Sequence, residues 1–73
     1  MISIAFDYTL LKERIQEKFP TLKNFANALE LHPMSLWRKL KGQADFTASE
    51  ISLACFLLEI EEKDIAKYFL VKK

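Results

Sequence analysis

Residues 21–42, TLKNFANALELHPMSLWRKLKG, decide the fold of this chain. Apolar residues recur here at spacings of three and four, which is the spacing of one helix face. They are Leu22, Phe25, Ala26 and Leu29 in the first half and Leu36 and Leu40 in the second. Pro33 suits the first turn of a helix, and Gly42 suits its end. The pattern predicts two helices joined by a turn at residues 30–32, which is a helix-turn-helix motif over about residues 21–42.

The length and composition fit one small helical domain. The chain has 73 residues, of which 51% are apolar, with one glycine and two prolines. So short a chain buries only about 60% of its unfolded surface, so its core must be dense. Few residues are of the types that form turns, which favours helices with short links. We expect a single domain over residues 1–73, with a short arm at residues 1–6.

Three further helices are predicted around the motif. Before it, a helix with an apolar stripe begins after Asp7, a favourable N-cap, and ends at Pro20. After it, Thr47 and Glu50 have the spacing of a capping box, which predicts a fourth helix from this point. A fifth helix is predicted over residues 62–70. The expected fold class is all-α with five helices, and most phenylalanines are expected in the core: Phe6, Phe19, Phe25, Phe46, Phe56 and Phe69.

The charge is small overall but unevenly distributed. The formal net charge is +1, lower than is typical of a nucleic-acid-binding domain. Residues 12–41 contain seven basic and three acidic residues, whereas residues 45–64 contain six acidic residues and one lysine. This asymmetry is compatible with phosphate binding by the half that carries the motif.

The chain also resembles a known family. Residues 10–69 look like a helix-turn-helix domain of the phage lambda repressor and Cro type. The opening FDYTLLKERI at residues 6–15 is similar to that of small phage-encoded regulators, as are the closing pairs Phe46-Thr47, Glu50-Ile51 and Tyr68-Phe69. Within the motif, Ala26 stands at the family's small residue, Leu36 at its aliphatic residue and Gly42 at its closing glycine.

The resemblance implies that residues 33–41 form a recognition helix, which enters the DNA major groove. Arg38 is the main expected base reader, because a guanidinium can bond guanine at two points. The other implied base contacts are Met34, Ser35 and Trp37. The implied phosphate contacts are Thr21, Lys23, Lys39, Lys41 and Gln43. The leading hypothesis is therefore sequence-specific binding of double-stranded DNA by a transcriptional regulator.

Departures from the family pattern leave a second interpretation open. Leu22 replaces a residue that is often polar, and Glu30 holds a turn position usually given to glycine because its φ is positive. Pro33 and Met34 stand where polar residues are usual. Leu22, Met34 and Trp37 could form an exposed apolar patch, which soluble monomers avoid, although Trp37 could equally be core. The alternative is an antirepressor, a protein-binding modulator that uses the same fold to bind a partner repressor.

Other function classes find little support in the sequence. No nucleophile–base pair, carboxylate dyad or glycine-rich loop predicts an enzyme or a small-molecule substrate. A lone Cys55 and a lone His32 predict neither a metal site nor a cofactor. No apolar run predicts a membrane span, and no signal peptide is recognisable, so the cytoplasm is expected. The resemblance to phage regulators implies that this is the cytoplasm of a bacterial host. A homodimer through the C-terminal helices is also expected, with its surface formed by Phe56, Tyr68, Phe69, Leu70 and Val71.

Overall fold

Five α-helices and one short 3₁₀ helix make up the structure, a computed structural model that describes residues 6–72. The helices are α1 (Thr9–Lys18), α2 (Leu22–Ala28), α3 (Pro33–Leu40), α4 (Ala48–Leu58) and α5 (Ile65–Phe69). The prediction of an all-α chain with five helices is confirmed for this part of the chain. Of the predicted arm at residues 1–6, all but Phe6 lies outside the described residues.

The fifth helix differs from its prediction over residues 62–70. Its first part, Glu62–Asp64, is a 3₁₀ helix, and the α-helix begins only at Ile65. Short 3₁₀ turns are common at helix starts, where the first N–H groups have no partner within the helix.

The core forms where the apolar faces of the helices meet. Its most deeply buried large side chains are Phe25, Leu11, Ile15, Leu36 and Leu58. Ala26 is also fully buried, and α2 and α3 contact each other directly. A larger side chain at this position would push against its neighbours, which is the physical reason for a small residue here. Leu22, the first residue of the predicted stripe, is exposed instead.

Aromatic rings join the two ends of the chain to the loop before α4. The Phe46 ring meets Tyr8 edge-on at 5.4 Å between ring centres and meets Phe69 edge-on at 5.5 Å. Such edge-to-face contacts are favourable beyond the apolar area that they bury. Next to them, the backbone N–H of Asp7 donates to the carbonyl of Val71. The N-terminal segment is thereby held against the end of α5.

The prediction that Phe56 belongs to the core is wrong. Its side chain is 80% exposed, whereas Phe25 and Phe69 are buried and the other described phenylalanines are partly buried. Two residues along a helix correspond to about 200° of rotation. Phe56 lies two residues from both Ala54 and Leu58, which are buried, so it projects from the opposite side of α4.

The helix ends follow the predicted chemistry except at the start of α1. Tyr8, not the predicted Asp7, is the N-cap of this helix, although the Asp7 carboxylate accepts the backbone N–H of Thr9 at 2.9 Å. At α4 the capping box of Thr47 and Glu50 is complete. Glu30 has the positive φ expected of it, 61°, and Gly42 ends α3 with a φ of 80°. No helix in the described part of the chain is long and apolar enough to cross a membrane.

Candidate functional site

The helix α3 is fixed at both ends by short-range contacts. Pro33 occupies the first turn, and Nδ1 of His32 accepts the backbone N–H of Met34 at 3.1 Å. At the other end, the N–H of Gln43 reaches back to the carbonyl of Arg38. Leu36 and Leu40 are buried. These contacts fix which residues of α3 face outward.

We expect His32→Ala to lower the free energy of unfolding by about 0.5–1 kcal/mol, since it removes the side-chain acceptor at the start of α3. His32→Asn keeps an acceptor and serves as the matched control. Thermal unfolding followed by circular dichroism measures both variants. Equal stabilities of the wild type and His32→Ala would show that the cap contributes nothing.

The outward face of α3 carries an apolar hollow. Pro33, Met34 and Trp37 line an open depression of about 300 Å³ that exposes almost no polar atoms. Met34 is 54% exposed and Trp37 is 45% exposed, so Trp37 is not a core residue. Leu22 is exposed on α2 but does not line this hollow. We call Pro33, Met34 and Trp37, with Arg38 and Lys41 beside them, the α3 surface.

A cation borders the hollow, and two further cations of α2 and α3 are exposed. Nζ of Lys41 lies 4.6 Å from the centre of the Trp37 ring, a cation–π contact. Arg38 and Lys23 are exposed, and neither forms an ion pair with the described residues. The α3 surface therefore combines an apolar centre with a basic margin.

Lys39, a predicted phosphate contact, is engaged elsewhere. Its ammonium pairs with the carboxylate of Glu50 on α4, and the two side chains are only 12% and 16% exposed. Nζ of Lys39 also lies 5.9 Å from the centre of the Phe46 ring. A phosphate contact by Lys39 would have to break this ion pair. Sequence reasoning missed the pair, because nothing in the local pattern links α3 to the start of α4.

The environment of Glu50 favours its charged form. Burial alone would raise the pKa of this carboxyl. Hydrogen bonds from Lys39 and from the Thr47 N–H, together with the positive charge of Lys39, outweigh burial and lower the pKa of Glu50 below its ordinary value. Glu50 therefore serves both as the reciprocal cap of α4 and as the counter-ion of Lys39.

The remaining predicted DNA contacts differ in how far their side chains are exposed and free of internal partners. The Thr21 hydroxyl accepts the N–H of Asn24 at 3.1 Å and donates to the Asn24 side chain, so it caps α2. Ser35 is half-buried, whereas Gln43 is exposed. The structure thus brings Met34, Trp37 and Lys41 together but commits Thr21 and Lys39 to internal contacts.

A second apolar surface lies between α4 and the segment that leads into α5. The groove there has a volume of about 460 Å³ and is lined by Ala48, Ile51, Ser52, Cys55, Ile60, Glu62 and Ile65. Burial raises the pKa of the Cys55 thiol, which makes it a poor nucleophile. The described residues contain no group of three metal-ligating side chains.

The predicted dimer surface is only partly exposed. Phe69 is 2% exposed and belongs to the core, so the prediction that it forms part of a dimer surface is wrong. Tyr68 is half-buried, and Phe56, Leu70 and Val71 are exposed. Phe69 turns inward because Phe46 and the first helix cover it.

The chain belongs to the family described as "Protein of unknown function (DUF739)", which matches residues 4–72. It is also similar to the solution structure of the modulator of repression (MOR) of the temperate bacteriophage TP901-1 from Lactococcus lactis. The two share 37% sequence identity over 89% of this chain and 88% of that one, with a TM-score of 0.77. No curated protein matches the chain. The predicted resemblance to small phage-encoded regulators is confirmed.

Proposed function

We propose that this chain is a protein-binding modulator that uses a lambda-repressor-like helix-turn-helix fold to bind a partner repressor. The similar phage protein is a modulator of repression, which supports a role in modulation over a role in reading DNA. Binding of the repressor would take place in the cytoplasm of the bacterial host. In this proposal the α3 surface is the contact site.

The arrangement of α2 and α3 supports the proposed fold. Residues 29–32 separate the two helices, and the helices contact each other. The turn between them contains the left-handed Glu30. A short turn of this kind between two helices in contact is the framework of a helix-turn-helix unit.

The observation that carries the proposed function is the apolar hollow of Pro33, Met34 and Trp37. Aromatic, methionine and arginine side chains are enriched in protein interfaces, and tryptophan and arginine dominate binding hot spots. Met34 and Trp37 offer at most one hydrogen-bond donor between their side chains. A face that reads base edges depends on such donors and acceptors. The chemistry of the α3 surface therefore fits a protein partner better than DNA.

DNA binding is the second candidate, and the exposed cations favour it. Arg38, Lys23 and Lys41 lie on or beside the helix that the family resemblance assigns to the major groove. Lys39 is paired with Glu50, which removes one predicted phosphate contact. The near-neutral net charge of +1 is also low for a protein that neutralises many phosphates.

Trp37 provides the test, because it is the sole tryptophan of the sequence and lies at the centre of the α3 surface. We expect its fluorescence to shift to shorter wavelength, with saturation at a fixed ratio, when the repressor encoded in the same genome is added. We expect no change with mixed-sequence double-stranded DNA at about 50 mM salt. DNA binding that weakens steeply with salt, without a response to the repressor, would reverse the order of the two candidates.

A further inference from the structure

We propose that a second copy of this chain binds the α3 surface by inserting Phe56 into its hollow, so that copies associate head to tail. The two faces involved are different, one on α3 and one on α4. This inference goes beyond the proposed function, since it requires no repressor.

Phe56 is the projecting side of the contact. Its side chain is 80% exposed, the highest value among the exposed large apolar residues of the described chain. Ser52 lies one helical turn before it on the same side of α4 and lines the neighbouring groove. A protruding aromatic ring beside the small side chain of Ser52 can enter a depression on another molecule.

The hollow of the α3 surface has the size and chemistry to receive this ring. Its volume is about 300 Å³, whereas an apolar cavity of about 150 Å³ holds a benzene molecule. Trp37 offers a ring for an edge-to-face or offset contact, and the Met34 sulfur favours aromatic neighbours. Both sides of the contact would lose exposed apolar area.

One unpaired carboxylate near the α4 face and one cation at the α3 surface favour contact between the two different faces. Glu59 follows Phe56 by three residues, and Glu62 lines the groove beside it. Lys18 pairs with Glu59, whereas Glu62 forms no ion pair with the described residues. Lys41 borders the hollow, because its ammonium lies over the Trp37 ring. A symmetric contact of α4 with α4 would bring like charges together, and α3 with α3 would do the same. The head-to-tail contact pairs opposite charges.

A head-to-tail contact leaves one face free on each of the two copies, so further copies can add. With one aromatic anchor it belongs to the weak, transient class of interfaces. We expect a dissociation constant on the order of 1 mM or somewhat lower. Each contact covers one α3 surface, so self-association would compete with any partner that binds there.

Two variants separate this arrangement from one in which like faces meet, α3 with α3 or α4 with α4. Phe56→Gln removes the projecting ring and keeps the α3 surface, whereas Trp37→Gln removes the hollow and keeps Phe56. Both positions are exposed, and glutamine is a good helix former, so the fold and the net charge should be retained. Leu10→Gln, on exposed α1 surface, is the matched control for the loss of an apolar side chain.

Sedimentation velocity and amide NMR shifts over about 0.05–2 mM protein measure association around the expected constant. We expect association of the wild type and of Leu10→Gln, and at least about tenfold weaker association of each single variant alone. A mixture of Phe56→Gln and Trp37→Gln should form a 1:1 dimer and nothing larger, because one intact face remains on each partner. Higher salt should weaken the contact.

Three outcomes would overturn the inference. One is a wild type that stays monomeric over the whole concentration range. Another is association that neither variant weakens, which would place the contact on another surface. The third is a mixture that fails to associate although the wild type does, because such a result indicates a symmetric dimer.

Discussion

Replacing Glu50 by alanine is expected to lower the free energy of unfolding by about 2–4 kcal/mol. The change removes the reciprocal acceptor of the α4 capping box, which is worth about 1 kcal/mol. It also leaves the mostly buried Lys39 ammonium without its counter-ion, at a further cost of about 1–3 kcal/mol. Small domains of this size have only about 4–11 kcal/mol of stability in total. Urea unfolding at neutral pH measures the loss.

A double-mutant cycle separates the two roles of Glu50. Lys39→Met keeps the apolar stem near Phe46 and removes the charge, so its cost reports the ion pair without the cap. The variant that combines Lys39→Met with Glu50→Gln should be more stable than the sum of the two single losses predicts, because no unpaired charge remains. Strict additivity would show that the pair makes no contribution of its own.

The stability of the wild type should also fall in acid. The folded-state pKa of Glu50 lies below its unfolded value, so its contribution is fully present above a pH of about 4.3. It is lost as the pH falls through the lower folded pKa. Urea unfolding of Glu50→Gln should therefore depend less on pH below this point. An identical pH dependence in the two proteins would assign the acid sensitivity to other carboxylates.

Local signals in the sequence predicted the helices well. Thr47 and Glu50 marked the start of α4, and Thr21 marked the start of α2, because capping involves residues only three positions apart. Glu30 and Gly42 marked turn positions with positive φ. These features depend on neighbouring residues, so a single sequence contains the information that they require.

Contacts between distant parts of the chain could not be predicted in this way. Arg14 donates from Nε to the carbonyl of Leu58 at 2.9 Å, and Lys18 pairs with Glu59. The Arg14 contact satisfies a carbonyl group at the end of α4 that the helix itself leaves without a partner, whereas Lys18 pairs with the side-chain carboxylate of Glu59. The partners are more than 40 residues apart along the chain, and only the packing of α1 against α4 brings them together.

The sequence predicted the position of α3, but not which side chains at the edges of its outward face are exposed or paired. Helical projection correctly turned Leu36 and Leu40 inward and Met34 outward. It could not decide whether Trp37 was core or surface, because residues at the margin of a helix face depend on what covers them. It also could not reveal that Glu50 holds Lys39. The loss of Lys39 as a free cation adds to the support that the apolar hollow gives to the proposed protein partner.

Trp37→Gln is expected to weaken binding to the repressor encoded in the same genome by about 30-fold or more. Hot-spot tryptophans cost at least about 2 kcal/mol when truncated, and here the loss would open the centre of the hollow. The stability of the free protein should change little, because the Trp37 side chain is 45% exposed. Since the variant has no tryptophan, isothermal calorimetry is the appropriate measurement.

Two control variants make this result specific to the α3 surface. Leu10→Gln removes a similarly exposed apolar side chain from α1 and should leave repressor affinity unchanged. Lys41→Gln removes the cation that lies over the Trp37 ring and should weaken binding only a few-fold, because rim charges contribute little affinity. If Trp37→Gln binds the repressor as tightly as the wild type, the α3 surface is not the contact. If Arg38→Ala instead abolishes binding to a specific DNA sequence, α3 reads DNA, and Trp37 is not the residue on which binding mainly depends.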